Sequence, residues 1–453
     1  MDTPQFREFR TKEVMRQSAT VTAMLSAVVS VLALTALAAP SAAEDLPALP
    51  ADFEFGVAQS GFQSEGFNQD SNYLRYGNEG KLHEPVGNAV DFFHQYEGDV
   101  AKAASIGVDN YRLSVEWSRI EPQAGVDDAA GWAFYDAVIG RIVASGMRPM
   151  ITLNHWVHPG WAVDRGGWNN PEMAAALTAF GRRVVDRYTW AEPIWITFNE
   201  PSEYVRRELT YGGLAPVNTG LMVDGIIEAH RAITTYIHAV QPGGQVSSNI
   251  AYIPLPGVEP ALEAVFSDRM VDSFDFIGVD QYYSIAPSEL SSFAASGGSF
   301  WNLPQSPESM YYVLRYFATK YPNKPLRVIE NGLATDADQN RADGYRRDDH
   351  LRDTVYWIQR ARQDGINIVS YNYWSLTDNY EWGEYGPRFG LYSVDTVHDP
   401  ALTRRPTVAV AAYREITEHH GVPSTYRPTR QPAPCSLIAL PASCGDPVLV
   451  EPR

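Results

Sequence analysis

Ile196-Thr197-Phe198-Asn199-Glu200-Pro201 and Val328-Ile329-Glu330-Asn331-Gly332 each run from apolar, strand-forming residues directly into a carboxylate. A carboxyl group at the exit of a buried strand is held rigidly at the mouth of a barrel, so the two stretches fix where to look for the remaining strands. Between about residues 53 and 413, short apolar strand candidates alternate with longer amphipathic helices, the pattern of a parallel α/β fold. The candidates are 53–58, 108–115, 148–155, 193–200, 245–252, 274–283, 326–330 and 368–376. Eight strands close a (β/α)8 barrel, so a single barrel of the TIM class with long βα loops is expected.

Helix boundary residues fit the same plan. Asn170-Pro171-Glu172 offers a capping side chain and a Pro to open a helix running to Tyr188, and Ser306-Pro307-Glu308 offers the same before 310–320. The segment 91–105 precedes Gly107, and 349–363 precedes Gly365. The helix-stop-strand units share no sequence repeat, which argues against a solenoid.

At 453 residues the chain is long enough for two or three domains, yet no Pro/Ser-rich linker interrupts the central region. Arg7, Arg10, Lys12 and Arg16 precede an apolar run over 21–39, and Ser41-Ala42-Ala43 supplies small residues for cleavage. Residues 1–43 therefore read as a removable secretion signal, giving an extracellular or periplasmic protein with no stable membrane partner; the alternative is an uncleaved membrane anchor, since the run is nearly long enough to span. Residues 44–420 form the barrel, and 421–453 a Pro-rich tail in which Cys435 and Cys444 are close enough in sequence to form a small disulfide loop. The formal net charge is −18, which disfavours nucleic acid as a partner. Neither the two cysteines nor His155 and His158 have metal-ligand spacing, so no metal or other cofactor is implied.

In a barrel of this type the functional groups project from the C-terminal ends of the strands. Gln63 follows the first strand, Arg112 lies in the second, His155 ends the third, and Asn199 with Glu200 ends the fourth. Tyr282 ends the sixth, Glu330 the seventh, and Trp374, Glu381 and Trp382 lie at or after the end of the eighth. Taken singly, each has an ordinary structural reading: Glu200 a helix-start carboxylate, Glu330 a turn residue, Arg112 an ion pair, the aromatics core. Their convergence on one mouth points instead to a sugar, whose hydroxyls satisfy buried polar groups and whose C–H face stacks on indole rings. Two carboxyls in different protonation states then provide a nucleophile, Glu330, and an acid/base, Glu200, with Arg112 and Tyr282 placed to hold Glu330 ionised.

The strings TFNEP (197–201), IENG (329–332), WSLTDNYEW (374–382) and RFGLYSVD (388–395) resemble the signature blocks of glycoside hydrolase family 1. QSEG (63–66), YRLSVEWSRI (111–120) and TLNHW (152–156) match its earlier blocks in order. The resemblance implies a (β/α)8 barrel of retaining, exo-acting β-glycosidases that need no cofactor, with Glu200 as acid/base and Glu330 as nucleophile. It also implies Gln63, His155, Asn199, Glu381 and Trp382 as ligands of the non-reducing sugar of a small β-glycoside or oligosaccharide, Trp374 as its stacking platform, and Arg112 and Tyr282 as supports of the nucleophile. Transfer of the sugar to an acceptor hydroxyl, or sugar binding without turnover, are the competing readings. Two departures stand out. Ile329 replaces the usual Thr, and Asp280 replaces the usual Asn two residues before Tyr282, where strand alternation puts both side chains on one face.

Overall fold

Nine parallel strands make one sheet in the computed structural model, which describes residues 46–253, 258–283, 286–289, 291, 299–336 and 339–448. They are β1 Glu54–Ala58, β2 Asn110–Ser114, β3 Arg148–Asn154, β4 Ile194–Phe198, β5 Gln245–Ser247, β6 Asn249–Ala251, β7 Ile277–Asp280, β8 Leu326–Asn331 and β9 Ile368–Trp374. The order across the sheet is β5-β4-β3-β2-β1-β9-β8-β7-β6. The expected secretion signal at residues 1–43 lies outside the described residues.

The sheet closes through Ser248. Residues 245–247 pair with β4 and residues 249–251 with β7, so the fifth expected strand changes partner at a single residue and counts as two. Hydroxyls secure the junction: Ser248 donates to the Phe198 carbonyl at 2.7 Å and Ser247 to the Phe276 carbonyl at 2.6 Å. Eight strand positions therefore form the barrel, as the sequence pattern requires.

Around the sheet run α1 Phe92–Ile106, α2 Ala129–Ala144, α3 Met173–Tyr188, α4 Pro201–Tyr211, α5 Thr219–Val240, α6 Val258–Val265, α7 Ser309–Lys320, α8 Arg347–Gln363 and α9 Val408–His419. Asp91 caps α1 by accepting from the His94 amide, and Asn170 Oδ1 accepts from the Glu172 amide just ahead of α3. Ser306 does not cap α7 with its side chain. Its hydroxyl donates to the Glu289 carboxylate at 2.9 Å, and only its carbonyl receives the Ser309 amide. The 204–220 stretch after β4 is mostly helix, because Pro201 opens α4 at its first position and the chain turns at Gly212.

Met150, Ile194, Ile196, Phe276 and Ile329 fill the barrel interior. Below them, Arg327 donates to Glu54 at 2.6 Å and Gln245 at 3.0 Å, with its guanidinium over the Phe276 ring. Asn372 donates to Asn110 at 2.7 Å across Gly56. β8 slips register against β7 between the Val279–Val328 and Asp280–Glu330 pairs, a bulge that turns Glu330 toward the mouth while Ile329 stays inside.

The described part of the tail lies along α7 and α8. Tyr426 and Thr429 donate to Asp353, the Ala433 amide donates to Glu308 at 3.0 Å, and the Val448 amide donates to the Tyr312 hydroxyl at 2.9 Å. Cys435 and Cys444 are joined by a disulfide.

A methyl group on Gly56 would stand 2.2 Å from Asn110 Oδ1 and 2.7 Å from Asn372 Cγ, inside the amide pair. Gly56→Ala is therefore expected to destabilise the fold by about 1–3 kcal/mol, seen as a lower midpoint in chemical denaturation.

Candidate active site

The C-terminal ends of the strands surround a cavity of about 300 Å³. His155, Asn199, Glu200, Tyr282, Glu330, Trp374, Glu381 and Trp382 all line it. Arg112 is fully buried beneath, and Gln63, also fully buried, reaches the same place through Glu381. All ten side chains singled out in the sequence thus converge on one mouth.

Glu330 is clamped. Arg112 Nη1 donates to its Oε1 in a short contact, and the Tyr282 hydroxyl donates to its Oε2 at 2.7 Å. Arg112 is itself fixed by donating from Nε to Thr152 at 3.0 Å and from Nη2 to Asn199 Oδ1 at 2.7 Å. A guanidinium on one oxygen and a phenol on the other hold this buried carboxyl in a single orientation. The phenol responds in turn: burial, then the Glu330 charge, pushes Tyr282 well above its ordinary value.

Glu200 faces the opposite influences. It opens α4, yet its side chain caps nothing and turns into the cavity. Burial, then the Glu330 charge, then Glu203 push its carboxyl well above the usual range, against the weaker pull of Arg207 and Arg112. Its backbone sits at φ 39°, with Trp156 at φ 68° and Trp382 at φ 51°. Three left-handed non-glycine residues around one cavity, each costing of order 1–3 kcal/mol, mark a conformation that the surroundings enforce.

The other side of the cavity is built from amides, indoles and a further acid. Gln63 Nε2 donates to Glu381 at 3.2 Å and to Asn379 at 3.1 Å, and Trp374 Nε1 donates to Glu381 at 3.2 Å. Glu381 is pushed up to about 8, first by burial and then by the Glu330 charge, with the Trp374 hydrogen bond opposing. His155 lies against Trp382 with ring centres 5.6 Å apart, and burial followed by Arg112 and Arg207 holds it well below its ordinary value, as a neutral ring. His158, which faces away from this group, bonds to the Tyr204 hydroxyl at 2.8 Å.

Several members of the site were not among the ten that the sequence singled out. Asn249 bridges Asn199 and Asp280 through its Nδ2, Phe389 packs edge-on against Tyr282 at 5.5 Å, and Arg207 lies over the Trp156 ring at 4.4 Å. Asp280 joins Glu200 and Glu330 in a cluster whose carboxylate oxygens lie within 4.8 Å of one another. Such spacing resembles an all-oxygen cation site, but both oxygens of Glu330 are already engaged and we assign it no metal.

A (β/α)8 barrel that brings a clamped carboxyl and a second, unclamped one together in a cavity of indoles and amides belongs to the class of glycoside hydrolases. Comparison with known proteins gives the family. The model for glycosyl hydrolase family 1 matches residues 46–255 and 228–422, and the chain belongs to that family. It is 27% identical to beta-glucosidase 42 of Arabidopsis thaliana, over 79% of this chain and 91% of that protein. It is 28% identical to the galactolipid galactosyltransferase SFR2 of the same plant, over 70% of this chain and 56% of that protein. A family 1 β-glucosidase from Thermotoga maritima superposes with a TM-score of 0.71 at 23% identity, covering 83% of this chain and 99% of that one.

The Tyr282 hydroxyl bonds a charged partner, an interaction of about 1.5–3 kcal/mol. Tyr282→Phe is expected to lower kcat/KM for an aryl β-glycoside roughly 10- to 100-fold with the fold intact, measured by steady-state kinetics and circular dichroism.

Proposed function

We propose that the chain is an exported, retaining exo-β-glycosidase that releases a terminal non-reducing β-D-glucosyl, galactosyl or fucosyl residue by double displacement. The observation that carries this reading is the approach of Glu200 and Glu330 to within 4.8 Å, the close spacing of a retaining pair, in place of the wider gap that leaves room for a water. Glu330, held ionised by Arg112 and Tyr282, attacks the anomeric carbon. Glu200 gives its proton to the departing oxygen, is relieved of the Glu330 charge once the glycosyl-enzyme has formed, and then takes a proton from the attacking water. Gln63, His155, Asn199, Glu381 and Trp382 bind the sugar hydroxyls, and Trp374 stacks on its C–H face.

Glu330→Ala is expected to lower turnover of aryl β-glycosides by at least about a thousandfold. Proton NMR of the first product formed by the intact enzyme is expected to show the β-anomer; an initial α-anomer, or full activity in Glu330→Ala, contradicts the proposal. Because the raised carboxyl of Glu200 is the proton donor, kcat/KM falls as pH rises through its ionisation. Glu200→Ala is therefore expected to slow alkyl glycosides far more than dinitrophenyl glycosides, whose leaving group needs no proton.

The galactosyltransferase relative supports a second reading, transfer of the sugar to an acceptor hydroxyl by the same two carboxyls. Products formed with added methanol decide between them: mostly free sugar supports hydrolysis, mostly methyl glycoside supports transfer. Export is tested by sequencing the N-terminus of protein recovered outside the cell, where a chain starting at Glu44 is expected and one starting at Met1 contradicts signal removal.

A further inference from the structure

Double displacement uses two carboxyls, and the cavity contains a third at the same depth. Asp280 ends β7, stands opposite Glu330 in the register and is 2% exposed. Its Oδ2 accepts from Asn249 Nδ2 in a short contact, and its Oδ1, buried in the wall of the cavity, has no hydrogen-bond partner.

The groups around it leave this third acid without a cation of its own. From β8 comes Glu330, from the end of β4 Glu200, and from β2 Arg112, which is already committed to Glu330 and Asn199. Beyond β7 stands Tyr282, which donates to Glu330, and from β6 comes the neutral Asn249. Farther off in the same cavity, Glu381 bonds Gln63 and Trp374, His155 is neutral, and Arg207 stacks over Trp156 and Trp382. Arg112 is the guanidinium hydrogen-bonded within the trio, and its hydrogen bond goes to Glu330.

Resting on the functional reading above, we propose that Asp280 is a positioning residue that keeps a proton on Oδ1 during turnover, so that Glu330 alone carries the negative charge of the trio. Burial and the charges of Glu330 and Glu200 act in that direction, and the Asn249 hydrogen bond and Arg112 oppose them less. A neutral aspartic acid has the shape of asparagine and, like it, places a donor on one terminal atom and an acceptor on the other. Unlike asparagine, it can ionise. Loss of its proton, released to solvent, places a second anion beside Glu330 that competes with it for Arg112 and loosens the clamp on the nucleophile. On this proposal Asp280, rather than Glu200, sets the basic limb as pH rises.

The test compares the full-length wild type with Asp280→Asn, which keeps the shape and a donor but cannot titrate. The readout is kcat/KM for 4-nitrophenyl β-glucoside across pH. At the optimum the variant is expected to stay within about threefold of wild type, with its basic limb displaced to higher pH because only Glu200 is left to ionise. A basic limb that superposes on wild type or moves to lower pH overturns the proposal. So does a loss of a hundredfold or more at the optimum, which makes the ionised carboxylate the working form. A second readout needs no turnover. The infrared difference between wild type and Asp280→Asn at the optimum is expected to contain the C=O stretch of a protonated carboxyl, and a carboxylate band in its place overturns the proposal. If neither protein cleaves any β-glycoside, the functional reading fails and the infrared spectrum still decides the state of Asp280.

Discussion

Everything at the barrel mouth is arranged around one buried ion pair, Arg112 with Glu330. Arg112 is fully buried and Glu330 is 4% exposed, so both charges have lost nearly all their water. A pair in that position is costly unless its remaining hydrogen-bonding groups are satisfied. Here they are: Thr152 and Asn199 receive the other guanidinium nitrogens, and Tyr282 fills the second carboxylate oxygen. The clamp draws on β2, β3, the end of β4, the segment after β7 and β8, so it forms only when the sheet is wound into a barrel. That dependence couples closure of the fold to the setting of Glu330.

Closure in turn rests on Ser248. By switching partners from β4 to β7 at that residue, the fifth strand brings the two ends of the sheet together and places Asn249 beside Asn199 and Asp280. The bulge in β8 does similar work on the far side, turning Glu330 out of the apolar interior that Ile329 helps to fill. Glu200 reaches the cavity from a left-handed backbone at the start of α4. The carboxyls are thus aimed by local irregularities set on a regular frame, which is how a rigid barrel presents groups from different strands to one point.

Much of this was legible in the sequence, for physical reasons. Apolar runs of strand length ending in Glu200 and Glu330 had to be barrel strands, because only a sheet covered by helices hides such runs, and direction alone then puts both acids at one mouth. The ten site residues follow from the same rule. What escaped depends on contacts between distant segments. The break at Ser248 has no local signature, since a serine in a strand does not announce a change of hydrogen-bonding partner. Ser306 carried a capping pattern but found a stronger acceptor in Glu289, brought to it by the fold. Asn249 and Arg207 gain their roles only from what stands opposite them. The helix over 201–211 is signalled locally, by Pro201 at its start and Gly212 at its end.

The central claim is that Glu330 is the atom-bonding nucleophile and that its neighbours exist to keep it charged. Incubation with a 2-deoxy-2-fluoro-β-glucoside bearing a good leaving group, followed by mass spectrometry of the intact protein and its peptides, tests this most directly. The account predicts a single fluoroglycosyl adduct on the peptide containing Glu330, on that side chain. An adduct on Glu200 or Asp280, or continued turnover with no adduct at all, would contradict it.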